Sequence, residues 1–208
     1  MAVENEFKFT SEKDLDPGSV AESLRSFLSS KNVPFKEKSK QSVDLYFDTE
    51  GLDLYKEDCI LRQKTSSNGK IKLTVKRPIS NEMRMMSREE IETESDGSWE
   101  RVLSFSEEHL PGRIVLEKPS LTIECERIAF DYKDGSGIKL SLDVCDYVDG
   151  PTKKRFYEIE LESVDDSTNR EFDSIGMCQF IEDLGFAPVT ESKYRRGVAW
   201  RLSANALI

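Results

Sequence analysis

Along most of this chain, hydrophobic and polar residues alternate with a period of two, the pattern of a β-strand with two unlike faces. The first such run is "ENEFKF", where Glu4, Glu6 and Lys8 share one face and Phe7 and Phe9 the other. "DPGSVAESLRSFLSSKN" then places Val20, Leu24, Phe27 and Leu28 on one helical face, with Pro17 near the start and Asn32 near the end, which predicts a helix packed on a sheet. From Ser42 to Ile159 the alternation returns in "SVDLYFDT", "CILRQKT", "KIKLTVKRP", "REEIETE", "SLTIECERIAFDY", "IKLSLDVCDYV" and "RFYEIELES". Turn formers such as "SSNGK", "SDGS", "KDGSG" and "VDGP" separate the runs, so consecutive strands form an antiparallel meander or barrel. Phe172, Ile175, Phe180, Ile181 and Leu184 then predict a second helix, closed by Gly185 and Pro188. The last segment, "SKYRRGVAWRLSANALI", reads as a strand or a short helix.

The charged faces carry the chemical information. Arg62 and Lys64 alternate in "LRQK"; Lys72, Thr74 and Lys76 in "KIKLTVK"; Arg88, Glu90, Glu92 and Glu94 in "REEIETE"; Glu158, Glu160 and Glu162 in "EIELE". A solvated sheet face normally mixes signs and includes Ser, Thr and Gln. Here carboxylates gather on some strands and cations on others, a field that is costly unless ligands and metal ions complete it. A barrel of about eight strands can hold one small ligand. If its interior is charged, its apolar faces point outward beneath the helices, which accounts for 34% charged and only 37% hydrophobic residues together. Carboxylate pairs suit a hard cation such as Mg²⁺ or Mn²⁺, and Arg and Lys suit phosphate oxygens.

Composition narrows the alternatives. The 208 residues fit one domain, 1–208, with no internal repeat and no dividing linker. No membrane-length apolar run and no secretory signal occur, so a cytoplasmic location is expected. Cys59, Cys125, Cys145 and Cys178 are scattered without a Cys-x-x-Cys pair, which argues against zinc and disulfide frameworks. His109, the one histidine, lies in "SEEHLPG", read as a loop, and is taken as a bystander. The formal charge of −10 weighs against nucleic-acid binding. Trp99 and Trp200 are read as packing residues of the shell.

Taken in order, these motifs resemble the CYTH superfamily, the triphosphate tunnel metalloenzymes. The hallmark Glu-x-Glu-x-Lys corresponds to Glu4, Glu6 and Lys8; it is joined by "YFDT" at Tyr46 to Thr49, "LRQK", "LTVK", Arg-x-Glu-x-Glu from Arg88, then Arg127, Asp143 and "EIE". The resemblance implies an α+β fold: an eight-stranded antiparallel β-barrel tunnel with flanking helices, acting on a small triphosphate with Mg²⁺ or Mn²⁺, as a monomer or homodimer. It implies that Glu4, Glu6, Glu158 and Glu160, with Asp143, bind metal. Lys8, Arg62, Lys64, Lys76, Arg88, Arg127, Lys193 and Arg196 would bind phosphate oxygens. Lys8, Glu90 and Glu92 would take part in catalysis, the two glutamates holding a second metal or orienting the attacking water.

Two departures concern Cys125, which stands where the family often has the Lys of a Lys-x-Arg pair, and Glu124 and Glu126, which are expected to face outward. Ile60 precedes "LR" where thiamine triphosphatases of animals carry Trp, and "SKYRRG" is similar to a motif of bacterial inorganic triphosphatases. The expected reaction is therefore hydrolysis of inorganic tripolyphosphate to pyrophosphate and phosphate. The alternatives are a thiamine or nucleoside triphosphatase, a class IV adenylyl cyclase, or a non-catalytic polyphosphate-binding module.

Overall fold

The computed structural model describes residues 2–82, 85–133, 137–163 and 175–205. Its centre is a closed antiparallel barrel of eight strands: β1 (Ala2–Ser11), β2 (Phe35–Phe47), β3 (Ile60–Ser66), β4 (Ile71–Glu82), β5 (Met85–Ser95), β6 (Leu121–Tyr132), β7 (Lys139–Asp149) and β8 (Thr152–Ser163). The neighbours run β5-β4-β3-β2-β6-β7-β8-β1, and pairing of β1 with β5 closes the ring. A short β9 (Ala187–Val189) adds to the other part of β1. Five helices complete the described residues: α1 (Pro17–Ser30), α2 (Asp53–Lys56), α3 (Trp99–His109), α4 (Met177–Asp183) and α5 (Lys193–Asn205).

The inversion expected from the charged faces is present over most of the barrel. Phe9, Leu140, Leu142, Ile159 and Leu161 point outward into a buried cluster with Val20, Leu24 and Leu28 of α1 and Ile181 of α4. On the opposite side Leu61, Leu73 and Val75 point outward beneath Val102 and Phe105 of α3. Asp16 caps α1 by accepting a 2.9 Å hydrogen bond from the Ser19 amide, with Pro17 at the first helical position.

The lumen is not charged throughout. Ile123, Cys125, Cys145, Tyr147 and Phe156 keep the parity of Arg127, Asp143 and Glu158, yet form an apolar cluster with Tyr194 and Val198 of α5. One end of the barrel is thus plugged by this helix, and the charged faces line the remainder. The approach is close: a Cβ at Gly197 would lie 2.4 Å from Leu121 Cδ2 and 2.8 Å from Tyr147 Cδ1. Leu121 can shift, but the fully buried Tyr147 ring cannot easily do so. Gly197→Ala is therefore expected to lower stability by roughly 1–3 kcal/mol through overpacking, measured as a shift of the urea midpoint. An unchanged midpoint would mean that α5 seats less tightly than described.

Other expectations need correction. Of the two readings left open for the last segment, strand or short helix, the helix is the one found, as α5. "SEEHLPG" is not all loop, because His109 ends α3, its ring 4.6 Å from that of Phe105. The second expected helix begins only at Met177; Ile175 precedes it, and Phe172 lies outside the described residues. Trp99 and Trp200 do pack in the shell, against Phe47 and Tyr147 respectively. Among the described residues, no helix is long and apolar enough to cross a membrane.

Candidate active site

The ring order converts strand-by-strand sorting of charge into two facing walls. In an eight-membered ring, strands four places apart lie opposite, so β7, β8 and β1 face β4, β3 and β2 across the lumen. The first wall carries Asp143, Glu158, Glu160 and Glu6; the second carries Lys76, Arg62 and Lys64. Between them is a cavity of about 310 Å³, at the small end of ligand sites. Among the described residues its lining holds eight Lys and Arg side chains against five carboxylates, in a chain whose net charge is −10.

On the acidic wall, the carboxylates and the site's own cations are interleaved. The Lys193 ammonium, at the start of α5, donates to Glu160 Oε1 at 2.7 Å, lies 2.9 Å from Asp143 Oδ2 and also bonds Glu158. Lys8 donates to Glu160 at 2.8 Å and lies 3.2 Å from Glu6. Arg127 grips Asp143 with two hydrogen bonds of 2.6 Å and reaches Glu160; Arg196 bonds Glu158. Asp143 and Glu158 lie beneath the cavity lining, at 0% and 1% exposure.

Burial alone would raise the Glu160 carboxyl, but Lys193, Lys8 and Arg127 outweigh it and hold the group well below the usual carboxylate range. Asp143 is lowered in the same way, burial being overcome by Arg127 and Lys193. Lys8 and Lys193 show the converse: burial opposes their charge, while Glu160, Glu6 and Glu158 raise Lys8, and Asp143, Glu158 and Glu160 raise Lys193.

Linkage then fixes the sign of a pH effect. Depressed carboxyls stabilise the fold above about pH 4 and lose that contribution as pH falls through their folded values. Raised ammoniums contribute below about pH 10.4 and lose it as pH rises through still higher values. In the chelator-treated protein the melting temperature is therefore expected to hold between these limits and fall on the acid side. The acid limb should be shallower in Glu160→Gln, and an identical limb would contradict the depressed Glu160.

The basic wall has carboxylates of its own. Asp44, buried on β2, lies 3.3 Å from Arg62 and 3.9 Å from Lys64. Burial and the neighbouring Arg62 guanidinium push the Lys64 ammonium down, against the attraction of Asp44. On β5, Glu90 lies 3.6 Å from Lys76, Glu92 bonds Lys72, and Arg88 lines the cavity with its two Nη atoms bonded to Asp58.

Most of the expected site residues are thus brought together. Glu6, Lys8, Arg62, Lys64, Lys76, Arg88, Glu90, Glu92, Arg127, Glu160 and Lys193 line one cavity, with Asp143, Glu158 and Arg196 immediately below. Glu4 pairs with Arg88 through its backbone, and its side chain lies outside the described residues. Glu124 and Glu126 face outward as expected, bonded to Lys153 and Gln41. Sequence reasoning missed Asp44, Lys139 and Asp58 as site residues. Asp44 shares a face with Tyr46 of "YFDT" and could have been found by parity. Lys139 alternates with Asp143 in "KLSLD" and could have been found in the same way. Asp58, in the turn after α2, gave no periodic signal.

Oxygen atoms of Asp143, Glu158 and Glu160 lie within 4.8 Å of one another. They converge on one cationic atom, the Lys193 Nζ, so the arrangement already accommodates a positive centre. An all-carboxylate set fits a hard divalent ion.

Comparison with solved structures finds the same fold in several proteins. An adenylyl cyclase candidate from Hippeastrum, described as having a dominant triphosphatase activity, matches with TM-score 0.60 at 23% identity, covering 92% of this chain and 93% of that one. A candidate adenylate cyclase from Bacillus halodurans matches with TM-score 0.54 at 20% identity, covering 94% and 98%. A protein from Pyrococcus horikoshii OT3 matches with TM-score 0.54 at 20% identity, covering 91% and 95%. No curated protein matches the sequence. The CYTH domain model matches residues 6–185, nearly the whole barrel and the helices α1 to α4. With the walls, the cavity and this match in hand, the chain belongs to the CYTH family.

Proposed function

We propose that this protein hydrolyses inorganic tripolyphosphate to pyrophosphate and phosphate, with Mg²⁺ or Mn²⁺ held by Asp143, Glu158, Glu160 and Glu6. The observation that carries the reading is the pair of facing walls: carboxylates converging on one cationic centre, opposite Arg62, Lys64 and Lys76. Phosphoryl transfer needs charge neutralisation and in-line positioning more than covalent help. The bound cation would supply charge neutralisation at phosphate oxygens.

The chain's own residues do the rest. Arg62, Lys64 and Lys76 bind phosphate oxygens, Arg62 with the directional guanidinium fork. Lys8 and Arg127 hold Glu160 and face the phosphate from the acidic wall. Glu90 and Glu92, on β5 beside β1 of the carboxylate wall, orient the attacking water. Arg196 fixes Glu158 from below.

Inorganic tripolyphosphate is preferred over thiamine triphosphate and nucleotides because the cavity has little to receive a ring. Among the described residues, its apolar lining consists of Tyr46 and Ile60. The Tyr46 ring is already stacked on Tyr194, with centroids 5.2 Å apart and planes 9° from parallel. The test is to strip the protein with chelator, restore Mg²⁺ or Mn²⁺, and offer tripolyphosphate, thiamine triphosphate and ATP in parallel. Metal-dependent release of phosphate and pyrophosphate from tripolyphosphate, faster than from the other two, is expected. Turnover of none of them would overturn the enzyme reading, and cyclic AMP from ATP would replace hydrolysis with cyclisation.

A further inference from the structure

Beneath the carboxylate wall, where the lumen turns apolar, two thiols face each other. Cys125 on β6 and Cys145 on β7 are direct cross-strand partners, both buried, with Sγ atoms 3.5 Å apart. Asp143 is two residues from Cys145 on the same face of β7. One of its carboxylate oxygens and the two sulfurs lie within 4.8 Å of one another. Two soft donors and one hard donor select a thiophilic cation of the zinc class, in contrast to the all-oxygen set beside them.

The sulfur separation is that of two free thiols in hydrogen-bond contact, and it is compatible with a metal between them. A disulfide requires about 2.05 Å between sulfurs. A tetrahedral centre with Zn–S bonds of about 2.3 Å places two sulfurs about 3.8 Å apart. The observed 3.5 Å is within a few tenths of the second distance, so a metal could be taken up with little movement of either strand. Asp143 retains capacity as a ligand, since a carboxylate offers about four lone-pair directions and three donor contacts reach it, two from Arg127 and one from Lys193.

We propose that Cys125, Cys145 and Asp143 form a second metal site, for a thiophilic divalent cation such as Zn²⁺ or Cd²⁺, distinct from the hard-cation site but sharing Asp143 with it. Binding forms two metal–sulfur bonds and releases both thiol protons to solvent, with solvent supplying the fourth donor. Because a single Asp143 carboxylate serves both sets, occupation of the thiol site weakens the hard-cation site and inhibits the enzyme. The inhibition rests on the proposed triphosphatase activity; the binding does not.

The decisive experiment titrates Cd²⁺ into the chelator-stripped, fully reduced protein and follows thiolate-to-cadmium charge-transfer absorption. The band is expected to saturate at one equivalent, to vanish in Cys145→Ser, and to persist in a Cys59→Ser/Cys178→Ser double variant. X-ray absorption at the cadmium edge of the wild-type complex should find two sulfur neighbours with oxygen completing the shell, a result that needs no variant to fold. A band that survives Cys145→Ser, no band with excess Cd²⁺, or one or no sulfur at the metal would overturn the site. In the activity arm, Zn²⁺ should inhibit tripolyphosphate hydrolysis at constant excess Mg²⁺, with at least tenfold weaker inhibition in Cys145→Ser; equal inhibition would overturn the coupling through Asp143. If no triphosphate is hydrolysed at all, the proposed function falls while the cadmium band still decides the site.

Discussion

Glu160→Gln is expected to lower kcat/KM for tripolyphosphate by about 10²–10³-fold, the scale on which a fixed electrostatic group contributes to a transition state. Glu160 faces the cavity and meets Lys8, Lys193 and Arg127. Glutamine keeps the shape and one acceptor oxygen but removes the charge that balances these three cations and would hold the divalent ion. The fold is not indifferent to the change. Three cations, Lys8 buried and Lys193 and Arg127 partly so, lose part of their compensation, a cost of about 1.5–3 kcal/mol on the scale of hydrogen bonds to charged groups. Two measurements separate the effects: activity assayed well below the variant's melting temperature, and the Mg²⁺ concentration giving half-maximal rate, which should rise. Full turnover with an unchanged metal requirement would remove Glu160 from the metal site.

The residues of this wall were legible because parity survives any uncertainty about register. Glu4, Glu6 and Lys8 share a face whatever they pair with, and so do Glu158 and Glu160. Depth along the barrel axis was not legible. Cys145, Tyr147 and Phe156 carry the same inward parity as Asp143 and Glu158, and only the seating of α5 decides where the charged lumen gives way to an apolar plug.

That helix itself reads poorly because it has no single apolar stripe: Lys193 and Arg196 serve the carboxylates, while Tyr194 and Val198 fill the barrel end. The first half of β2, "FKEKSKQ", was hidden for a different reason. Residues 36–41 are exposed, so nothing alternates, and the strand is held by a long ladder to β6. Helix α3 was lost among strands because its cap, Ser98, belongs to "SDGS", which reads as a turn; the Ser98 hydroxyl accepts from the Arg101 amide at 3.3 Å.

"YFDT" entered as a mark of resemblance, and its structural reason predicts the second large effect, in stability. Asp48 is 1% exposed and accepts four hydrogen bonds: from the amides of Thr49 at 2.7 Å, Leu54 at 2.9 Å and Tyr55 at 2.9 Å, and from the Tyr194 hydroxyl at 2.6 Å. One carboxylate thus satisfies the first turn of α2, where Leu52 has a left-handed backbone and no capping side chain, and anchors α5 beside Lys193. Asp48→Ala leaves three amides and a phenol without this acceptor, and a loss of about 3–5 kcal/mol is expected, the scale of breaking a buried charged network. Urea denaturation measures it. Asp48→Asn, which keeps one acceptor oxygen, should lose less. The consequence for the site is directional: with Tyr194 released, Lys193 loses its fixed position among Asp143, Glu158 and Glu160, so activity should fall even where the variant remains folded. Wild-type stability in Asp48→Ala would show that the plug holds α5 without the carboxylate.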